Sequence, residues 1–243
     1  VPTEGVRAFS GVGDAAIARR NELMKPYYEQ DGMTIYHGDC RDLLQTVYPF
    51  IFSCESVITD PVWPNNSIPE FADVNPAAVL SEALALCTGA ERVAVHLGCD
   101  SDPRMLTAVP SRLAFFRVCH LEIARVGYKG RLLMTGDAAY LFGTPPPSVK
   151  GAHVVPGRIM DPDSGGKQAD HPCPRKVAHV QFLIRYWSSP KDTVLDPFMG
   201  SGTTLVAAKQ LGRKAVGIER DERYCELAAN RLSQGALPME FTA

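Results

Sequence analysis

The run TVLDPFMGSGTTLVAAKQLGRKAVGIER, residues 193–220, constrains this chain more than any other. It opens as a short apolar strand. The glycine turn DPFMGSGTT (196–204) follows, then the helical pattern TTLVAAKQLG, then the second strand KAVGIER. Strand, turn, helix and strand in that order predict a parallel pair with a helix packed across it, the unit of an α/β sheet. Gly200 and Gly202 let backbone come close to a ligand, and the helix start offers the positive end of a dipole. Glu219 ends the second strand roughly twenty residues on, where a carboxylate can accept both hydroxyls of a ribose.

Three kinds of cofactor use such a turn. A phosphate loop needs Lys after its last Gly, and Thr203 stands there. A dinucleotide turn favours Gly or Ala three residues after its second Gly, and Leu205 fills that place. A ligand with a ribose and no phosphate needs neither, and S-adenosylmethionine (SAM) fits that description. Glycine after a strand also serves tight packing alone, so the turn does not decide the matter by itself.

Upstream, strands and helices alternate. MTIYHGD, SVITD and ERVAVHLG read as strands, and CRDLLQTV and NPAAVLSEALALCTG as helices. SDPRMLTAVPSRL supplies a short helix, and LAFFRVCHLEIARV and AAYLFGT two further strands. VAHVQFLIRYWSS reads as an amphipathic helix and DERYCELAANRLSQG as the last one. The first 30 residues read as an arm with a short helix around AAIARRNELMKPYYEQ, and residues 31–243 as one domain. A Gly-, Pro- and Asp-rich stretch, GAHVVPGRIMDPDSGGKQA, is the expected mobile loop.

Composition narrows the class. No apolar run approaches the ~18 residues of a membrane span. Seven cysteines lie scattered without a C-x-x-C pair, which points to reduced thiols in a cytosol and not to a disulfide frame or structural zinc. His96-Leu-Gly-Cys99 and His171-Pro-Cys173 are metal-ligand fragments without partners at zinc spacing, and read as packed side chains. Net charge is −2, yet it is unevenly spread. Between Met105 and Arg158, seven basic residues (Arg112, Arg117, Arg125, Lys129, Arg131, Lys150, Arg158) face only Glu122 and Asp137. A basic segment on an acidic body suits a polyanion-facing surface, although a solvated face would look the same.

The segment ITDPVWPNN (58–66) looks like a pocket for holding a planar base by its amino group. An exocyclic amine on adenine or cytosine is a poor nucleophile because its lone pair is delocalised into the ring. Two acceptors that hold both N–H bonds, here the Asp60 carboxylate and the Pro61 carbonyl, draw the nitrogen toward tetrahedral geometry. The carboxylate also stabilises the positive charge that develops during attack. Trp63 offers an aromatic face for a base flipped from a duplex. A strand-ending turn with a buried Trp is the plainer alternative. Asn65 and Asn66 either line the rim or merely make the loop polar.

Over about 60 residues, HPCPRKVAHV through ERYCELAANRL (171–232) resembles the cofactor half of the β-group DNA amino-methyltransferases. The resemblance implies a doubly wound, mostly parallel seven-stranded sheet of the SAM-dependent methyltransferase type, circularly permuted, with the catalytic motif ahead of the glycine motif. It implies SAM contacts for Asp196, Phe198, Gly200, Ser201, Gly202, Thr203, Thr204 and Glu219. Gly38-Asp39-Cys40 resembles the family's N-terminal Gly-Asp-Cys, which places Asp39 on the cofactor's adenine amino group with Cys40 beside it. His171 and Lys176 stand for the helix-opening His-Pro and its basic residue, though HPCPRK departs from the usual spacing.

In that family the catalytic pattern is Asp-Pro-Pro (or Asn or Ser first) before an aromatic residue, so Val62 is a departure that loosens Pro61. The leading Asp favours adenine N6 over cytosine N4. The variable recognition segment would be residues 144–170, small enough that the basic 112–131 stretch, the arm or a second copy in a homodimer must assist. The implied partner is double-stranded DNA. Cytosine N4 or RNA as target, and a lapsed fold that binds SAM or nucleic acid without transfer, remain open alternatives.

Overall fold

The computed structural model describes residues 25–46, 54–65, 74–148, 154–161 and 175–234. In chain order the elements are β1 (Tyr28–Gln30), β2 (Met33–His37), α1 (Cys40–Thr46), β3 (Ser56–Thr59), α2 (Pro76–Leu86) and β4 (Arg92–Gly98). A 3-10 helix (Pro103–Ala108) precedes β5 (Phe115–Lys129), β6 (Leu132–Gly143) and β7 (Arg158–Asp161). Then follow α3 (Val177–Trp187), β8 (Thr193–Asp196), α4 (Thr203–Gln210), β9 (Lys214–Glu219) and α5 (Glu222–Ser233). The strands form one sheet in the order β1-β2-β9-β8-β3-β4-β6-β5-β7.

β2, β9, β8, β3 and β4 run parallel, so their carboxyl ends share one edge of the sheet. Successive strand residues face opposite sides, and that alternation splits the core in two. Ile35, Ile58 and Val194 pack with Ile184, Trp187 and Leu205 on one face. Their sequence neighbours Tyr36, Val57 and Leu195 pack with Leu43, Leu80 and Leu84 on the other. Asn75 accepts the N–H of Ala78 and Pro76 opens α2, a strong helix start. Asp221 does the same for α5 through Arg223 N–H.

Four features differ from the sequence reading. The expected seven strands gain two at the edges. β1 occupies the end of the segment expected to be helical: Asp31 (φ 52°) and Gly32 (φ 77°) turn it back on β2, because an Asp-Gly pair with positive φ suits a two-residue hairpin. Residues 1–24 of the expected arm lie outside the described residues. β7 forms inside the stretch expected to be loop and pairs parallel to β5. β5 and β6 are longer than expected and make one hairpin, with a register shift between Glu122 and Gly127. Among the described residues no helix is long and apolar enough to cross a membrane.

Candidate active site

A cleft of about 1140 Å³ opens at the carboxyl ends of the parallel strands, where open α/β sheets hold their ligands. Asp196 forms its floor. The residue is 2 % exposed, and its carboxylate accepts from Thr59 Oγ1 (2.8 Å), Thr204 Oγ1 (2.5 Å) and the Phe198 N–H (3.1 Å). Its hydrogen bonds thus join β3, β8 and the start of α4. Burial nevertheless pushes its pKa up to about 6, against the pull of those donors.

The glycine turn is clamped from several sides. Gly200 (φ 50°) donates its N–H to Glu219 Oε2 at 3.1 Å, and Asp221 N–H reaches Oε1 at 2.8 Å. Burial raises the Glu219 pKa despite these donors. Gly202 has φ 77°, and a Cβ there would lie 2.6 Å from Ala228 Cβ on α5. Its glycine therefore serves packing, and it does not line the cleft. Arg231 reaches in from α5 to the Ser201 carbonyl (2.5 Å), the Ser201 hydroxyl (3.2 Å) and Thr203 Oγ1 (3.3 Å). Ser201, Thr203, Thr204 and Phe198 line the cleft.

Beside Glu219, whose carbonyl accepts the Gly38 N–H at 2.9 Å, Asp39 Oδ1 accepts from the backbone and side chain of Arg41 (both 2.9 Å), and Arg41 Nη2 sits 2.6 Å from Oδ2. These side-chain bonds hold the Asp39 pKa below its ordinary value. Asp39 thus settles the start of α1 while still facing the cleft. Cys40 lines it too, with its thiol pushed up to about 12 by burial.

The third wall follows β3. Trp63 Nε1 donates to Asp60 Oδ1 at 2.9 Å, so Val62 does not keep the pair apart. Trp63 packs against Gly98 at the end of β4, where a Cβ would fall 2.3 Å from the indole. Arg175 covers Trp63, its guanidinium carbon 4.0 Å from the ring centroid. Its Nε also donates to Asp60 Oδ2 and its Nη2 to Oδ1 at 3.2 Å. Behind them His96 Nε2 meets Asp137 Oδ2 at 3.0 Å. Asn65 is tied to Ser101 (2.8 Å) at the rim.

The structure thus brings Asp39, Cys40, Asp60, Pro61, Trp63, Phe198, Gly200, Ser201, Thr203, Thr204 and Glu219 to one cleft, above Asp196. Of the expected cofactor residues, Gly202 and Lys176 do not line the cleft. Lys176 stands at the N-cap position of α3 without a side-chain cap bond, lies 4.0 Å from Asp161 and is absent from the cleft wall, where its neighbour Arg175 stands instead. His171, like Asn66, lies outside the described residues. Arg175, Arg231 and Gly98 went unnoticed in the sequence. Only the excess spacing within HPCPRK hinted at the first.

Comparison with known proteins agrees with this geometry. Residues 152–230 match the family model N6_N4_Mtase, described as DNA methylase. YubD of Escherichia coli (strain K12), named as a methylase, is 33% identical over 129 residues, 52% of each chain. The type II methyltransferase M.HinfI of Haemophilus influenzae is 39% identical over 87 residues, 36% of this chain and 24% of the relative. The chain thus spans about half the length, or less, of the curated relatives it matches.

Among solved structures, the M1.HpyAVI–SAM complex superposes with a TM-score of 0.65 at 21% identity, covering 82% of this chain and 98% of the other. The PvuII DNA methyltransferase (cytosine-N4-specific) gives 0.60 at 19%, covering 90% and 91%. The fold is that of these SAM-dependent methyltransferase structures, and residues 152–230 are similar in sequence to the DNA methylase family.

The buried Asp196 makes a pH-dependent prediction. Its folded pKa, about 6, lies above the ordinary aspartate value of 3.8. The folded state therefore holds the proton more tightly, and the stability this provides is present at low pH and lost as pH rises through about 6. Relative to Asp196→Asn, the wild type should lose up to roughly 3 kcal/mol between pH 4 and 7 and then level off. Denaturant unfolding of both proteins across that range measures it, and a constant difference would contradict the burial argument.

Proposed function

We propose that this chain transfers a methyl group from SAM to the exocyclic amine of a base flipped out of duplex DNA, adenine N6 by preference. The observation that carries the reading is the convergence of Asp60, Pro61 and Trp63 on the same cleft as the glycine turn, Glu219 and Asp39. The residues fit the cofactor. Glu219 keeps each oxygen anchored by one backbone N–H, which leaves lone pairs for ribose hydroxyls. Gly200 brings backbone to the cleft wall without a side chain in the way, and Asp39 offers a carboxylate to an amino group.

When bound, SAM supplies an electrophilic sulfonium methyl. Everything else falls to the chain. Trp63, backed by Gly98, gives the base a flat surface. Asp60 accepts one N–H of the amine and the Pro61 carbonyl the other, which localises the lone pair for in-line attack. The Asp60 carboxylate stabilises the charge that grows on nitrogen and takes up the proton released afterward. The leading Asp supports adenine. Cytosine N4 stays the second reading, favoured by the likeness to the PvuII fold, whose title names that base.

The β5–β6 hairpin gives this site a surface for DNA. The rung Leu97↔Ala138 and Gly98↔Asp137 marks the end of β4, yet β5 and β6 continue to Lys129↔Leu132. At ~3.3 Å per residue the hairpin overhangs the cleft edge of the sheet by roughly 15 Å. Its tip exposes Tyr128, Leu132 and Leu133 beside Arg131. A two-stranded ribbon of this kind fits a major groove, which supplies readout beyond the small 144–170 segment.

Two outcomes are expected. With labelled SAM and mixed-sequence duplex, Asp60→Ala should cut methyl transfer by about 100-fold or more while SAM binding stays near wild type. Equal transfer by the variant would remove Asp60 from the chemistry. Arg131→Ala should weaken duplex binding and reduce its salt slope by about 1. An unchanged slope would take the hairpin off the DNA.

A further inference from the structure

Arg175 occupies the place the proposed mechanism reserves for the target base. A base there would lay its ring on Trp63 and point amino N–H bonds at Asp60. The guanidinium does both: it is planar, it lies 4.0 Å over the Trp63 ring, and it aims Nε–H and Nη2–H at the two oxygens of Asp60. Its N–H edge resembles the donor edge of an aminopyrimidine ring more closely than any other side chain could. We propose that Arg175 is an internal surrogate for the target base, holding the pocket until a base bearing an amino group displaces it. The inference rests on the reading of the Asp60 pocket as the base pocket.

The geometry makes occupation mutually exclusive. Trp63 has Gly98 on one side, so the surface under Arg175 is the one a base would need. A landing place for the displaced side chain is already built. Arg175 Nη1 is 3.7 Å from Asp137 Oδ2, and Asp137 is in turn held by the buried His96. Burial raises the Asp137 pKa, but the His96 hydrogen bond and nearby positive groups outweigh it and keep it below its ordinary value. A short swing from Asp60 to Asp137 therefore keeps the guanidinium paired with a carboxylate while it uncovers Trp63. Both ends of the Asp60 contact are only partly exposed, 17% for Arg175 and 26% for Asp60.

Such a plug sharpens selectivity. An entering base must offer Asp60 an amino N–H in place of the guanidinium donors and lay a ring on Trp63 in place of the cation. Adenine and cytosine carry an amine that can do so. Thymine offers no exocyclic N–H and leaves Asp60 with the Trp63 donor but without those that Arg175 supplied. Arg175 thus acts as a specificity-determining residue that discriminates by competition, without touching the base in the reacting complex.

The test reads the pocket without methyl transfer. Free adenine and free thymine are titrated against wild type, Arg175→Gln and Arg175→Lys, following Trp63 emission; Trp63→Phe variants give the Trp187 background to be subtracted. Arg175→Gln should bind adenine roughly fivefold or more tightly than wild type, since an ion pair and a cation–π contact no longer compete, and Arg175→Lys, which keeps the charge but loses the planar two-donor fork, should fall between the two. The adenine-over-thymine ratio should shrink in Gln. Adenine affinity unchanged or weakened in both variants would overturn the proposal, as would an unaltered ratio. Because the probe is a free base, a protein that methylates no DNA yet shows the competition would sink the functional reading and leave the surrogate standing. The converse result would do the opposite.

Discussion

Asp196 ends β8 with its carboxylate turned into the protein, and donors from β3, the glycine turn and α4 meet on it. A buried carboxylate left without donors would cost several kcal/mol, so the three donors must arrive together or the arrangement fails. Their arrival sets the distance between two parallel strands at the point where the chain leaves each of them. Beyond β3 lie Asp60 and Trp63; beyond β8 lies the glycine turn. The Asp196 carboxylate therefore spaces the two halves of the cleft.

From that spacing the other contacts follow. Gly202 lets α5 approach α4, and Arg231 from α5 then reaches the Ser201 carbonyl and fixes the turn. The fixed turn presents Gly200 N–H to Glu219. On the opposite side Gly98 leaves room for Trp63, and Trp63 hydrogen-bonds Asp60. Cleft walls built this way are supported by backbone and small residues at the ends of strands. The polar groups that face the opening are in consequence held in place before any ligand arrives.

Local chemistry made part of this legible. The strand–turn–helix–strand unit, its glycines and Glu219 lie within one short run, so their geometry follows from covalent connection and could be read directly. The same holds for Asp60 and Trp63, three residues apart. Contacts between distant segments were not legible. β7 is four residues, RIMD, too short to show a strand pattern, and it becomes one by pairing with β5. The hairpin of β5 and β6 was read as two shorter strands because its tip, exposed on both faces, lacks the buried alternation that marks a strand. Arg175 and Lys176 are adjacent bases in sequence, and only the direction of chain entry into α3 decides that the first meets Asp60 and the second Asp161. Arg231 is one of many arginines on helix surfaces until α5 is docked.

The central claim is that this cleft methylates an exocyclic amine. Incubating the protein with SAM and duplex DNA, digesting to nucleosides and weighing the products by mass spectrometry asks that directly. The account predicts N6-methyladenine, with N4-methylcytosine as the one acceptable substitute. A methyl on a ring carbon, or none in DNA from a protein that binds SAM, would contradict it.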